Sequence, residues 1–313
     1  MGRGRILIAS TILISVLCAC TTSTDEIAQK EQLIPVGGTA IIGTKDTRAT
    51  MALQDKVISS EITMGMFAFR SDASTDGIDN PYTFTFDGAG AFTHSGDKTL
   101  YYPVLKTVTL NVYSYIPYDA NYTDFNTSYD FTVKSSQITD ADYLSSDLLY
   151  GTFSGAQTTN KPVIVYMHKL SRLDFTLTID NSISVSDIQG AVVSLVGVKP
   201  TVKFNPSDGS ISDASGTEVD IPFMKIPSDA TTVRTYTASV RFPPQTISAG
   251  DFLKITFKDN VTVITVKLNN DFVAAGSTYY PYSYNLTATA VNGGGASVKK
   301  FDEVLLSGTA QEE

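Results

Sequence analysis

The chain holds two cysteines, Cys18 and Cys20, and only the second has neighbours that give its sulfur a task. Arg3 and Arg5 open the sequence, an uncharged run follows from Ile6 to Leu17, and Leu17-Cys18-Ala19-Cys20 closes it. A basic start, an apolar segment of roughly ten residues and a small residue before the cut is the layout of an export signal. The run falls short of the about 20 apolar residues that a membrane-spanning helix needs. With Leu at minus three, Ala at minus one and Cys at plus one, the segment resembles a bacterial lipobox. Cys20 is therefore expected to be the lipidated first residue of the mature chain. Cys18 fits poorly, because Leu17 would then occupy the small minus-one position. A plain cleaved signal with an incidental cysteine is the alternative.

Arg48 is the second residue with a chemical prospect. It lies in Asp46-Thr47-Arg48-Ala49-Thr50, a polar stretch with small residues beyond it, which a protease can bind in extended form before cutting between Arg48 and Ala49. Five arginines remain once Arg3 and Arg5 are removed, and only Arg48 falls between the polar N-terminal segment and the first strand-rich region. An ordinary exposed linker arginine is the competing reading. Asp72, Ser74 and Asp76, followed by Gly77, match the front of a calcium loop. Thr83 stands where a bidentate Glu belongs, and an Asp-rich solvated turn explains the segment as well. His94 and His168 are the only histidines and have no cysteine partner, so His168 reads as a structural hydrogen-bonding residue. No Gly-x-Ser-x-Gly elbow is present, and Gly293-Gly294-Gly295 reads as a hinge. No enzyme site and no cofactor is expected. The tyrosines at 101, 102, 113, 115, 118, 122 and 129 could stack on sugars or fill half-buried strand positions.

These residues must be positioned by strands. The chain has 313 residues, no tryptophan and a net charge of −9, an acidic balance that argues against nucleic-acid binding. With both cysteines in the export signal, the mature body has no internal disulfide, and buried apolar surface must stabilise it. Residues 21–32 are polar and aperiodic and read as a tether. A strand-like piece follows over Leu33–Ile42. Further β-type runs are Thr63–Phe69, Tyr82–Phe86, Val108–Tyr115, Val163–Tyr166, Leu173–Ile179, Val192–Val196, Tyr236–Phe242, Phe252–Phe257, Val261–Leu268 and Ser283–Val291. Leu173, Phe175, Leu177 and Ile179 alternate strictly and share one face. Asp259-Asn260 marks a hairpin turn, and Gln137–Leu149 holds one short helix. Many short strands without alternating helices predict an all-β chain built as β-sandwiches. The expected division is a signal over 1–19, a tether with the first strand over 20–48, and two domains over 49–168 and 169–313.

Several phrases resemble those of the fimbrillin-like surface proteins of Bacteroidetes. They are Ile62-Thr-Met-Gly-Met-Phe-Ala-Phe69, Leu100-Tyr-Tyr-Pro103, Val112-Tyr-Ser-Tyr-Ile-Pro-Tyr118, Asp147-Leu-Leu-Tyr150 and Val165-Tyr-Met-His-Lys-Leu-Ser-Arg-Leu-Asp-Phe175. The resemblance implies two tandem transthyretin-like β-sandwich domains and a subunit of a type V fimbria, exported as a lipoprotein to the outer membrane. It implies that an arginine-specific protease removes the N-terminal strand at Arg48, and that a strand donated by another subunit replaces it. Partners would be other fimbrial subunits, the outer membrane through the lipid, and ligands on host or bacterial surfaces. The chain departs from relatives that end in a tryptophan-containing strand. Its tail offers Val304-Leu305-Leu306 amid Asp302, Glu303, Glu312 and Glu313, which leans the expectation slightly from shaft to tip. An anchor, or a glycan-binding lipoprotein that keeps its lipid and is never cut, is the alternative.

Cys20→Ala should abolish palmitate labelling and leave unprocessed or periplasmic protein; normal labelling and membrane retention would refute the lipobox reading.

Overall fold

The repeated alternation of apolar and polar residues is a period of two, and in the computed structural model it produces strands almost throughout. The structure describes residues 34–42, 62–72, 81–156, 162–260, 263–287 and 311–312. They contain nineteen strands and two short helices, so the chain is all-β.

Seven strands form a closed ring. They are β1 (Gly38–Ile42), β2 (Thr63–Arg70), β3 (Tyr82–Phe86), β4 (Ala91–His94), β5 (Leu110–Ile116), β7 (Leu149–Gly155) and β8 (Val163–His168), and the order around the ring is β1-β4-β3-β2-β5-β7-β8. The first region is thus closed where a pair of open sheets was expected. The reason is β1, which bonds to β4 on one side and to β8 on the other. Met64, Met66, Phe84, Phe86, Phe92, Val112, Ile116 and Tyr166 fill the interior with side chains. The second face of β2 and β5 is buried as well. Phe67 and Tyr115 point away from the ring into the larger core shared with the rest of the chain. That double burial makes Met64–Ala68 an unbroken apolar run.

The remaining strands build two four-stranded sheets. One holds β12 (Val219–Lys225), β10 (Val192–Val198), β15 (Gly250–Thr256) and β16 (Val263–Leu268) in that order. The other holds β13 (Thr235–Phe242), β9 (Ser171–Ile179), β18 (Thr278–Leu286) and β19 (Gln311–Glu312). The expected alternation of β9 is present: Leu173, Phe175, Leu177 and Ile179 are all buried. Asn260 adopts φ 55° in the turn between β15 and β16, as its place after Asp259 predicts. The short helix α1 (Asp140–Ser145) is capped by Thr139, whose hydroxyl accepts from the Asp142 amide. A two-stranded ribbon, β6 (Tyr129–Thr132) with β11 (Thr201–Phe204), links the two halves of the sequence.

Beside that ribbon the tyrosines offered above as a sugar platform are largely consumed. Tyr115 and Tyr122 are buried, Tyr122 stacks on Tyr129 at 4.5 Å, and Phe204 lies within about 6 Å of Tyr115, Tyr122 and Tyr150. Burial pushes the Tyr115 and Tyr122 hydroxyls well above their usual range, so both stay neutral.

A buried polar cluster sits where β8 passes into β9. His168, 2% exposed, sets Nδ1 2.8 Å from Asp147 Oδ1, and Arg241 Nη2 lies 3.3 Å from Asp147 Oδ2. A guanidinium can only donate, and Arg241 Nη2 is also 3.4 Å from His168 Nε2. The imidazole therefore accepts at Nε2 and donates from Nδ1 to the carboxylate. Gln137 completes the arrangement: its amide donates to the Arg241 carbonyl at 2.7 Å and accepts from the Arg241 amide at 2.8 Å. Ser171 Oγ donates to the Ala275 carbonyl at 2.7 Å. His168 thus holds strands together, the structural role expected of it. Burial opposes ionisation of Asp147, but Arg241 and His168 outweigh it and hold the carboxyl below its ordinary value of 3.8.

Removing Arg241 would strand a buried carboxylate. Arg241→Met should cost about 3–5 kcal/mol in denaturant unfolding at pH 7. Because the folded-state pKa of Asp147 is depressed, its stabilisation is present above the ordinary carboxylate value and is lost as pH falls below it. Asp147→Asn should remove that part of the acid-side slope, and an unchanged slope would refute the assignment.

Candidate functional site

The element that decides how this fold can act is β1, the strand that closes the ring. Its segment begins just ahead of the strand: the Tyr102 amide donates to the Ile34 carbonyl at 3.0 Å, and the Val36 amide to the Leu100 carbonyl at 2.8 Å. Gly38 and Thr39 then pair antiparallel with Phe92 and Ala91 of β4. On the other edge, Thr39 to Ile42 pair in parallel with Val163 to Tyr166 of β8. The Thr39 amide donates to the Pro162 carbonyl at 2.9 Å, and the Ala40 amide to the Gly90 carbonyl at 2.8 Å.

The side chains of β1 alternate between the ring interior and the outside. Val36, Gly38 and Ala40 face inward and are buried, while Ile41 is 43% exposed. Val36 is the larger of the fully buried side chains, its burial stabilising by about 2 kcal/mol, and half-buried Ile42 packs against the same core. Gly38 has no room for more. A Cβ there would stand 2.4 Å from the Pro162 carbonyl oxygen and 2.9 Å from the Phe92 ring. Opposite, Gly90 adopts φ +90°, and a Cβ on it would sit 3.0 Å from the Ala40 carbonyl oxygen. The slot between β4 and β8 therefore admits a strand whose alternate inward positions are apolar, glycine, small and apolar, as Val36, Gly38, Ala40 and Ile42 are. It is held by main-chain bonds that any strand can supply.

The covalent connection is equally telling. β1 ends at Ile42 and β2 begins at Thr63, and Arg48 and Ala49 lie in the sequence between them. One cut there leaves β1 joined to the described fold by non-covalent bonds alone. Arg48 and Ala49 themselves lie outside the described residues, as do Cys20, Ser74 and Asp76. Asp72 is described, and its carboxylate is engaged by Arg70, with Nε and Nη2 at 3.0 and 2.7 Å. That bond to Arg70 holds the Asp72 pKa below its ordinary value. The Arg70 guanidinium is thus occupied, and its backbone pairs with Leu110 at the end of β2. His94 sits edge-on to Phe84 at 5.8 Å. Among the described residues no group of three His, Cys, Asp or Glu could hold a metal ion, and no helix is long and apolar enough to cross a membrane.

Residues 47–300 match the model of the fimbrillin-like family. The chain belongs to that family. One relative, the candidate fimbrium subunit Fim1C of Bacteroides uniformis, is 28% identical over 59% of this chain. The match spans 61% of Fim1C, about three fifths of its length. Crystal structures of candidate cell adhesion proteins share the fold. One from Bacteroides uniformis has a TM-score of 0.59 at 22% identity, covering 89% of this chain and 98% of its own. One from Bacteroides ovatus has a TM-score of 0.60 at 15% identity, covering 90% and 98%.

Within this fimbrillin-like chain, Gly38, Ala40, Phe92 and Pro162 are the site residues that sequence reasoning missed. Gly38 lies inside the strand-like piece Leu33–Ile42, and the close approach that requires a glycine there arises only once β8 lies alongside.

Gly38→Val, introduced into the intact chain, should destabilise it by about 2–3 kcal/mol, read from denaturant unfolding. Thr39→Val, pointing outward beside Val163, should change it by less than about 0.5 kcal/mol. Equal effects at the two positions would refute the slot.

Proposed function

We propose that the protein is a structural and adhesive subunit of a type V fimbria, exported as a lipoprotein through Cys20 and opened by cleavage between Arg48 and Ala49. The observation that carries this reading is the double pairing of β1. Its departure leaves β4 and β8 with unpaired main-chain groups on both sides of one slot and opens the side-chain-filled interior around Phe92 and Tyr166. Exposed strand edges of that kind recruit another strand. A strand from a second subunit restores every bond that β1 made, since backbone groups are common to all sequences.

On this reading the barrel and the paired sheets are the two tandem sandwich-type domains of a transthyretin-like plan, 49–168 and 169–313, with the segment 20–48 supplying the tether and the removable strand. Membership of the fimbrillin-like family and likeness to a candidate fimbrium subunit support it. The lipid holds the precursor at the outer membrane, and the opened subunit becomes part of a surface fimbrium. An uncut lipoprotein acting as anchor or glycan binder is the second reading. The burial of Tyr115 and Tyr122 removes two rings from any sugar-binding face. Tip or shaft turns on whether the tail can enter such a slot.

Arg48→Ala should yield a folded, lipid-anchored monomer that fails to join fibres, scored by fibre fractionation and N-terminal sequencing. Normal assembly of that variant would overturn cleavage as the switch.

A further inference from the structure

Exposed apolar side chains are not spread evenly over this protein. Among the described residues ten large ones are exposed, and six of them are Ile34, Ile41, Tyr101, Leu105, Val163 and Val165. These six lie on β1, on β8, or where residues 34–36 meet 100–102 and the turn that follows. The register gathers them: Ile41 stands beside Val165 and Thr39 beside Val163 in the parallel ladder, and Pro35 stands opposite Tyr101 in an antiparallel bridge. With Val36 and Ala40 turned into the core, Pro35, Thr39 and Ile41 face outward at alternate positions. They make an outer wall along β1 that is about 20 Å long. The wall is also uncharged. β1, β4, β7 and β8 hold no Asp, Glu, Lys or Arg, in a chain whose net charge is −9. Outward positions of a solvated sheet are ordinarily polar, and a contiguous apolar wall is the mark of a surface that is covered.

We propose that, while β1 is in place, this wall rests on a lipid surface, the membrane leaflet that holds the chain's own acyl groups. This rests on the lipoprotein reading above. Chain length favours it: 13 residues separate Cys20 from Ile34, and they span at most about 45 Å. The wall therefore belongs to the first part of the fold that the lipid brings to the bilayer. Covalent attachment also makes docking intramolecular, so a wall too small to hold a free protein suffices. Charge favours it as well. An acidic chain is repelled by anionic headgroups, and an uncharged face is the one it can present to them. Tyr101, 41% exposed at the margin, has the half-wet ring that suits a lipid–water boundary. A strand-adding protein partner is disfavoured, because β1 and β8 are each paired on both edges.

The wall is built from two strands with different fates. Val163 and Val165 belong to β8, whereas Pro35, Thr39 and Ile41 lie on the segment that a cut at Arg48 would free. Loss of β1 would carry off the lipid and half of the apolar wall together. Lipid docking is thus a property of the uncut chain alone.

The sequence suits the test. Once residues 1–19 are removed Cys20 is the sole cysteine, and the chain has no tryptophan. The mature chain from Cys20 is coupled through that thiol to maleimide-bearing lipid in vesicles of phosphatidylethanolamine and phosphatidylglycerol, so an anchor is present whether or not cells attach one. Single indoles are introduced by Tyr101→Trp, by Val163→Trp and, as the control, by Val273→Trp on β17 (Phe272–Ala274), where the valine is 67% exposed. Acyl-brominated lipid should quench the first two and spare the third. Val163→Thr with Val165→Thr keeps shape and β-branching but swaps two methyls for hydroxyls. In the Tyr101→Trp background that pair should lower the docked-to-free ratio by about tenfold or more. Equal quenching at all three positions, quenching at none, or quenching indifferent to the threonine pair would overturn the proposal. So would an emission already blue-shifted without lipid, the sign of a segment of the chain itself on the wall. A native mass of two uncoupled chains, reduced to one by the threonine pair, would make the occupant a second copy and overturn it too. The mass of protein isolated from cells is read separately. Absence of acyl groups on Cys20, with the coupled chain docked, would bring down the lipoprotein reading alone.

Discussion

The described structure depends on how closely one backbone can approach its neighbours. Gly38 passes so near the Pro162 carbonyl and the Phe92 ring that no side chain fits between them, and that contact lets β1 bond to β4 and β8 at once. Move β1 outward by the width of a methyl group and the two ladders cannot both be made. The ring would then be a six-stranded sheet with two bare edges. The closing element carries only modest inward side chains, Val36, Ala40 and half-buried Ile42, around Gly38. A strand seated by large apolar groups would be hard to replace. β1 is seated by amides and carbonyls along both edges, with Val36, Ala40 and half-buried Ile42 facing in.

The rest of the molecule is fastened by different means. Large apolar cores supply most of the cohesion, and the Asp147–His168–Arg241 cluster with Gln137 fixes the junction from β8 into β9. Buried ions of this kind are seldom the most stabilising choice for their volume. Here the Gln137 amide grips the backbone of Arg241 while the guanidinium grips Asp147, so three distant parts of the sequence are brought to one point.

What the sequence disclosed, and what it withheld, follow from the range of each interaction. β9 was legible because one of its faces is wholly buried and the other is not, so Leu173, Phe175, Leu177 and Ile179 alternate with polar neighbours. The Asp259-Asn260 turn and the helix within Gln137–Leu149 were legible because their determinants are local. β7, Leu-Tyr-Gly-Thr-Phe-Ser-Gly, was not, because two glycines and two hydroxyl residues give it no signature. It is a strand because β5 and β8 bond to both of its edges. The ring closure was equally invisible, since parallel pairing of β1 with β8 joins residues more than a hundred positions apart. For the same reason nothing in the spacing of Asp147, His168 and Arg241 foretold their meeting. Of the residues with expected chemistry, Asp72 is described, and its carboxylate bonds to Arg70.

Direction matters as much as pairing. β1 runs parallel to β8, β8 continues through Lys169 and Leu170 into β9, and β9 runs parallel to β18 over the full register from Tyr279 and Arg172 to Leu286 and Ile179. A strand lodged in the β1 position and drawn from its leading end, against a tail drawn from the trailing end of β18, would load both ladders in shear. Parallel neighbours pulled from opposite ends resist with all their hydrogen bonds together, whereas a hairpin pulled at its open end gives way one bond at a time. The same strand directions that close the barrel thus lay a continuous tensile path through the protein, from the first ladder to the last.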